Sequence, residues 1–133
     1  LEELAIELAC ERMTEEDFKE LDLAQNAFKK AVAGGTAMEI AETDEAYHDI
    51  IYNSTGNTRL VQILNNLREQ MYRYRLEYIK DEEKRQILLA EHRKIYRALC
   101  SRHVEEAKQA MREHIDNQEI TVLKNIKEQE NDF

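Results

Sequence analysis

The chain is short, acidic and nearly free of residues that break helices. With 133 residues, it can form one domain with a core but is too short for two ordinary domains. It has no proline and only three glycines, which argues against a sheet protein because strands need turn residues between them. The net charge of −9 repels nucleic acid, so the chain itself is not expected to bind DNA or an anionic membrane.

Cysteine usage and hydropathy favour a cytoplasmic protein. Cys10 and Cys100 lie far apart without any metal-type spacing, and we expect two buried, reduced thiols. No apolar run approaches the roughly 18 residues of a membrane span, and no signal-peptide pattern is present. The chain begins at a leucine, and we expect it to be one domain of a longer protein.

Apolar residues recur at helical spacing along the chain. Thr14, Thr36 and the Gly34-Gly35 pair are typical residues of helix starts and stops. The expected helices cover residues 1–12, 15–33, 36 to about 55, 58–79, 82–100, and 104 to a frayed polar end at 128–132. Leu1, Leu4, Leu23, Ile63, Leu67 and Leu123 are among the residues expected on their apolar sides. The pattern predicts an all-α protein, an antiparallel bundle of about six helices that forms one domain over residues 1–133.

The third expected helix carries two polar side chains on its apolar face. Asp44 and His48 are four residues apart and therefore lie on the same face, one turn from each other. The other members of that face, Ala37, Ala41 and Ile51, are apolar. A buried carboxylate without a partner is costly, so another group must compensate for Asp44.

Two further histidines occupy apolar positions on other helices. His92 lies on the apolar face of the fifth helix and His114 on that of the sixth, whereas His103 lies at a helix junction. If the bundle brings them together, three imidazoles and one carboxylate form a ligand set for a divalent metal: Asp44, His48, His92 and His114. Alternatively, these are structural histidines, one of which pairs with Asp44. The spacing leaves both interpretations open.

The fourth helix contains a run of cationic and aromatic residues: Arg68, Tyr72, Arg73, Tyr74, Arg75 and Tyr78. One interpretation is a solvated face with arginines extended along it. The other is that an arginine points inward and holds an anionic ligand through two hydrogen bonds. A metal-dependent hydrolase or lyase is a rival function, but it lacks an obvious general base, since Glu91 beside His92 is expected to point elsewhere.

Four segments carry a resemblance to a known family. They are LACERMTEEDFKEL, DEAYHDIIYNSTGNTRL, LLAEHRKIYRAL and EEAKQAMREHI, in this order. Together they resemble the C-terminal effector domain, of the FCD type, of FadR-subgroup GntR-type bacterial transcription regulators. One departure is His103, where the family commonly has an aspartate that caps the last helix better.

The resemblance implies a helical bundle that binds a divalent metal through Asp44, His48, His92 and His114. Zinc is the preferred ion, with nickel, manganese or iron as alternatives. It also implies a neighbouring pocket for a small organic acid, and Arg68, Tyr72, Arg73 and Arg75 are the candidate contacts for it. A homodimer and an upstream winged helix-turn-helix domain that binds DNA follow from the same resemblance. The expected protein is then a regulator and not an enzyme; a metal-dependent hydrolase or lyase and a plain helical interaction module are the alternatives.

Overall fold

The computed structural model describes the backbone of residues 1–131. It describes the side chains of that range apart from those of Met71, Tyr74 and residues 119–122, 125, 126 and 128–131. Six α-helices and no strands occur in this range: α1 (Glu2–Arg12), α2 (Glu15–Gly34), α3 (Ala37–Asn53), α4 (Thr58–Ile79), α5 (Glu82–Cys100) and α6 (Val104–Asn131). The predicted fold class is confirmed. The main difference in bounds is at α6, which continues through the polar residues where a frayed end was expected; residue 132 lies outside the described range.

Local side-chain contacts define where the helices begin. The Thr14 hydroxyl accepts a hydrogen bond from the Asp17 N–H, and the Asp17 carboxylate accepts one from the Thr14 N–H, which forms a capping box. Asn57 caps α4 by accepting from the Leu60 N–H. Gly56 before it has a φ of +68°, a conformation that glycine adopts without strain. This turn fixes how α4 leaves the end of α3.

The helices pack so that α3, α5 and α6 share one interior. α3 packs between α2 and α4, α5 packs against α2 and α6, and α1 lies against α6, α3 and α5. None of the helices in the described part of the chain is both long enough and apolar enough to cross a membrane.

Two apolar clusters form the core, and polar side chains lie between them along α3 and α5. On α3, Ile40 belongs to one cluster and Ile51 to the other. On α5, Leu88 and Ile95 divide in the same way. The interval between each pair contains the buried polar residues of that helix: Asp44, His48 and His92. The fold thus places a polar layer inside an otherwise apolar bundle.

Several predictions of burial were wrong. Large apolar residues expected on inner faces are exposed: Leu1, Leu4, Leu23, Ile63, Leu67 and Leu123. Among the α4 side chains that the structure describes, Leu60, Leu64, Tyr78 and Ile79 are buried, so Ile63 and Leu67 lie outside the inward face of this helix. Cys10 is buried as expected, but Cys100 is exposed because it is the last residue of α5.

Candidate metal centre

Four side chains chosen from the sequence converge in the polar layer. α3 supplies Asp44 and His48, α5 supplies His92 and α6 supplies His114. All four are buried, with exposed fractions of 1%, 5%, 0% and 0% respectively. His103 is exposed and pairs with Glu106. Sequence periodicity therefore selected the histidines that the fold brings together.

The donor atoms of this cluster are close enough to share one ion. Asp44 Oδ1 lies 3.3 Å from His48 Nε2 and 2.9 Å from His92 Nε2. His48 Nε2 is 3.3 Å from His114 Nε2. One ring nitrogen from each of the three histidines lies within 4.8 Å of the others. For comparison, ligand atoms about 2.0 Å from a tetrahedral zinc are about 3.3 Å apart.

Several of these buried atoms lack a hydrogen-bond partner among the described residues: Asp44 Oδ1, His48 Nδ1, His92 Nδ1 and His92 Nε2. Asp44 Oδ1 and His92 Nε2 are near each other, but they are not aligned as acceptor and donor. Buried polar atoms are nearly always paired in native proteins. A cation among them would bind the oxygen and nitrogen atoms that face one another, so the residues fit a divalent metal.

Burial and electrostatic attraction shift the pKa values of Asp44, His48 and His92. Burial alone would raise the pKa of Asp44, but the imidazoles of His48 and His92 outweigh it and hold this pKa well below its usual range. Burial lowers the pKa of His48 to about 3 despite the nearby Asp44 carboxylate. It also lowers the pKa of His92. These directions favour the forms that bind a metal, an ionised carboxylate and neutral imidazoles.

Glu91 orients one of the candidate ligands. Its Oε1 lies 3.2 Å from His114 Nδ1, and its Oε2 accepts a hydrogen bond of 3.0 Å from the Asn117 amide. A proton on His114 Nδ1 would be donated to Glu91, which leaves the lone pair of Nε2 free to bind a metal. The prediction that Glu91 points away from the site was wrong, because a residue adjacent to His92 in sequence reaches His114 on another helix.

Replacing Glu91 with glutamine should weaken metal binding without unfolding the domain. Glutamine is uncharged and holds the His114 ring less firmly than a carboxylate does, so we expect zinc affinity to fall about 10- to 100-fold. Competition with a chromogenic chelator measures this change. Glu113→Gln is the matched control, since Glu113 lies on the outside of α6 and pairs with Lys94. Equal affinity in the two variants would remove Glu91 from the metal centre.

Aromatic rings hold His92 in place. The Tyr47 ring stacks on the His92 ring at a centroid distance of 4.2 Å, and the Tyr47 hydroxyl donates to the His92 carbonyl at 2.7 Å. The Phe28 ring lies 4.5 Å away on a tilted plane. Packing from α2 and α3 therefore sets the orientation of His92.

A cavity of about 560 Å³ lies between the start of α1, α4 and α6. Its lining includes Arg68 and Arg75, which were chosen from the sequence, and Met111 and Ile115, which flank His114 along α6. Arg73 is exposed and Tyr72 packs against an apolar cluster, so the structure does not bring these two to the cavity wall. On a helix, positions 68 and 75 share a face because seven residues make nearly two turns, whereas position 73 faces elsewhere.

The two cavity arginines are tied to acids on the outer side of α3. Arg68 Nη1 lies 2.7 Å from Asp49 Oδ1, and Arg75 Nη1 lies 3.3 Å from Glu45 Oε1. The guanidinium of Arg68 also lies over the Tyr52 ring, 5.6 Å from its centroid. A guanidinium has five N–H donors, so one carboxylate partner leaves donors for a ligand.

Glu2 is a site residue that the sequence analysis missed. It lines the cavity. Its carboxylate accepts a hydrogen bond from the Tyr52 hydroxyl. The Tyr52 ring in turn lies 5.9 Å from the ring of His48. Burial raises the pKa of Glu2, although the hydrogen bond from Tyr52 opposes the rise. The signal was present, because Glu2 shares a helix face with the buried residues Ala5, Ile6 and Ala9.

The shift at Glu2 predicts how stability depends on pH. A carboxyl group whose pKa is raised on folding favours the folded state below its ordinary pKa of 4.5, and that contribution is lost as the pH rises through the raised value. We therefore expect Glu2→Gln to be more stable than the parent chain at pH 7, with the difference disappearing below pH 4.5. Urea unfolding at both pH values measures it.

The neighbouring residue provides the control for this pH experiment. Arg112 lowers the pKa of Glu3 through a hydrogen bond, so Glu3→Gln should not stabilise the chain at pH 7. A Glu2→Gln variant that is less stable than the parent chain at pH 7 would contradict the assignment of a desolvated carboxylate.

Comparison with known proteins identifies related sequences. A model of the FCD domain family matches residues 1–117. The chain is also 26% identical over 130 residues to a protein of Bacillus subtilis (strain 168) described as "Uncharacterized HTH-type transcriptional regulator YdhC". That alignment covers 97% of this chain and 58% of the relative, so the chain spans little more than half the relative's length.

Proposed function

Because the chain belongs to the FCD domain family, we propose that it is the effector-sensing domain of a GntR-type transcription regulator. The Bacillus subtilis relative bears the description of an HTH-type regulator and extends beyond the aligned region. In this proposal, a winged helix-turn-helix domain that precedes these residues binds DNA, and the regulator is a homodimer. Such a regulator would act in the bacterial cytoplasm, and the net charge of −9 accords with leaving DNA contacts to another domain.

The observation that carries the proposal is the buried cluster of polar side chains, several of whose atoms lack a hydrogen-bond partner among the described residues. Asp44, His48, His92 and His114 would hold a divalent metal. Zinc suits three imidazoles and one carboxylate, and nickel, manganese or iron are the alternatives. When bound, the ion supplies positive charge that offsets Asp44 and can attract a carboxylate of the effector. The residues Glu91 and Tyr47 orient the imidazoles around it.

The cavity is the proposed site for a small organic acid. Its volume of about 560 Å³ lies within the usual range for small-molecule sites. Arg68 offers a guanidinium, which recognises carboxylates through paired hydrogen bonds. The wall also includes Leu1, Glu2 and Glu3 at the start of α1. An effector bound here would contact the segment nearest an upstream DNA-binding domain and could shift the balance between two domain arrangements.

The proposal contains no catalytic step. Glu91, the carboxylate considered as a general base, is engaged by His114 and Asn117. Its position suits a group that orients a ligand rather than one that activates water.

Exchange of a cavity arginine tests effector binding. In Arg68→Met, we expect organic acids to lose at least about tenfold in affinity because a charged hydrogen-bonding partner is removed. Zinc content should remain unchanged. Calorimetric titration with succinate and citrate, together with elemental analysis, measures both quantities.

Arg73→Met is the matched control for this titration. It removes the same charge from the same helix at an exposed position outside the cavity wall. Acids that bind equally to the parent chain, Arg68→Met and Arg73→Met would place the effector somewhere other than this cavity.

A further inference from the structure

The wall of the cavity includes Glu2, a carboxylate whose hydrogen-bond partner is a neutral group rather than a cation. Among the acids on this wall, Glu3 pairs with the guanidinium of Arg112. Glu2 instead receives the hydroxyl of Tyr52, with O–O distances of 2.8 and 2.6 Å to its two carboxylate oxygens. The negative charge of Glu2 is thus stabilised by a neutral donor.

Tyr52 uses only part of the accepting capacity of Glu2. A phenol hydroxyl has one proton to donate, whereas an ionised carboxylate accepts about four hydrogen bonds. Burial has taken much of this carboxylate out of water, which is why its pKa is raised. Glu2 is therefore an acceptor with spare capacity on the wall of a cavity.

Arg68 lies within electrostatic reach of Glu2 on the same wall. Its guanidinium lies 5.6 Å from the centroid of the Tyr52 ring, whose hydroxyl donates a hydrogen bond to Glu2, and Arg68 and Glu2 both line the cavity. A ligand carboxylate held by Arg68 would consequently lie near a second carboxylate. A plain acid would be repelled by Glu2, whereas an acid with its own hydrogen-bond donor could satisfy Glu2 at the same time.

We propose that Glu2 makes this cavity selective for acids that also carry a hydroxyl or ammonium group, over plain acids of the same carbon skeleton. Arg68 takes the carboxylate and Glu2 accepts from the added donor. This inference rests on the proposed function, because it requires that an organic acid binds in the cavity.

Matched sets of acids test the selectivity. Succinate, malate and aspartate share one skeleton, as do glutarate, 2-hydroxyglutarate and glutamate, and propionate, lactate and alanine. Calorimetric titration of the zinc-loaded full-length protein should give at least about tenfold tighter binding of a donor-bearing member than of the plain acid in one set. Comparison of the hydroxy and amino members shows which donor is preferred.

Variants of the first helix connect the selectivity to Glu2. Glu2→Gln should strengthen binding of the plain acid and reduce the ratio to less than about threefold, since the repelling charge is gone. Glu2→Met should also remove the preference for donor-bearing acids. It is included because the amide of Glu2→Gln could itself form hydrogen bonds with a ligand. Glu7→Gln alters an acid of the same helix that pairs with Lys108 and does not line the cavity, so it should retain the parent ratio.

The outcomes distinguish this inference from the proposed function. If plain and donor-bearing acids bind the parent protein equally, or if both Glu2 variants retain the preference, selection by Glu2 is overturned while acid binding stands. If no acid in any set binds the parent protein, the proposed effector site and the selectivity both fail.

Discussion

Replacing His92 with alanine is expected to reduce bound metal from about one ion per chain to almost none and to lower the melting temperature by roughly 10 °C. His92 is fully buried, and its Nε2 lies 2.9 Å from Asp44 Oδ1. Its loss would remove one candidate ligand and the ring that packs against Tyr47 and Phe28, and truncating a large buried ring to alanine typically costs about 3–5 kcal/mol. Elemental analysis and thermal unfolding measure the two effects.

Two further variants separate metal loss from damage to the core. His92→Gln retains much of the side-chain volume between Tyr47 and Phe28, so its metal content should fall while less of the packing is lost. His103→Ala removes an exposed imidazole that pairs with Glu106 and should change neither quantity. If His92→Ala keeps the same metal content as His103→Ala, His92 is not a ligand.

Removal of the metal from the unmodified chain is expected to lower the melting temperature by roughly 10–15 °C. A ligand that binds only the folded state stabilises it by about 4 kcal/mol when its concentration is a thousand times its dissociation constant. Without an ion, Asp44 Oδ1 and His92 Nε2 are buried polar atoms that lack a hydrogen-bond partner among the described residues. Thermal unfolding before and after dialysis against EDTA measures the shift.

Restoration by added metal is the control for chelation. Zinc added after EDTA is removed should return the melting temperature to its starting value, whereas magnesium should not, because magnesium prefers oxygen ligands. If a protein that is shown to contain zinc melts at the same temperature before and after chelation, the ion does not stabilise the fold.

Helix-level features could be predicted because they depend on local sequence. Thr14 and Thr36 cap helices through contacts within three residues, and both were identified from the sequence. Asp44 and His48 share a face through helical geometry alone. His92 and His114 were selected because they replace apolar residues at inward positions, and the fold then placed them 5.4 Å apart between ring centroids.

Features that depend on how helices pack against each other could not be predicted in the same way. Periodicity gives the face on which Glu91 lies but not which neighbouring helix that face meets, so its contact with His114 was missed. Helical spacing places Arg68 and Arg73 on different faces, but only the position of the cavity shows which of the two faces could meet a ligand. Cys100 was expected to be buried from cysteine usage alone, which does not show that this residue ends a helix at the edge of the bundle.

Anomalous X-ray scattering from crystals of the protein purified without chelators tests the metal centre most directly. The account predicts one anomalous peak bonded at about 2.0–2.2 Å to an oxygen of Asp44 and to one ring nitrogen each of His48, His92 and His114. It also predicts that Glu91 remains hydrogen-bonded to His114. A structure with no anomalous peak among these four residues, and with their polar atoms hydrogen-bonded to one another or to water, would contradict it.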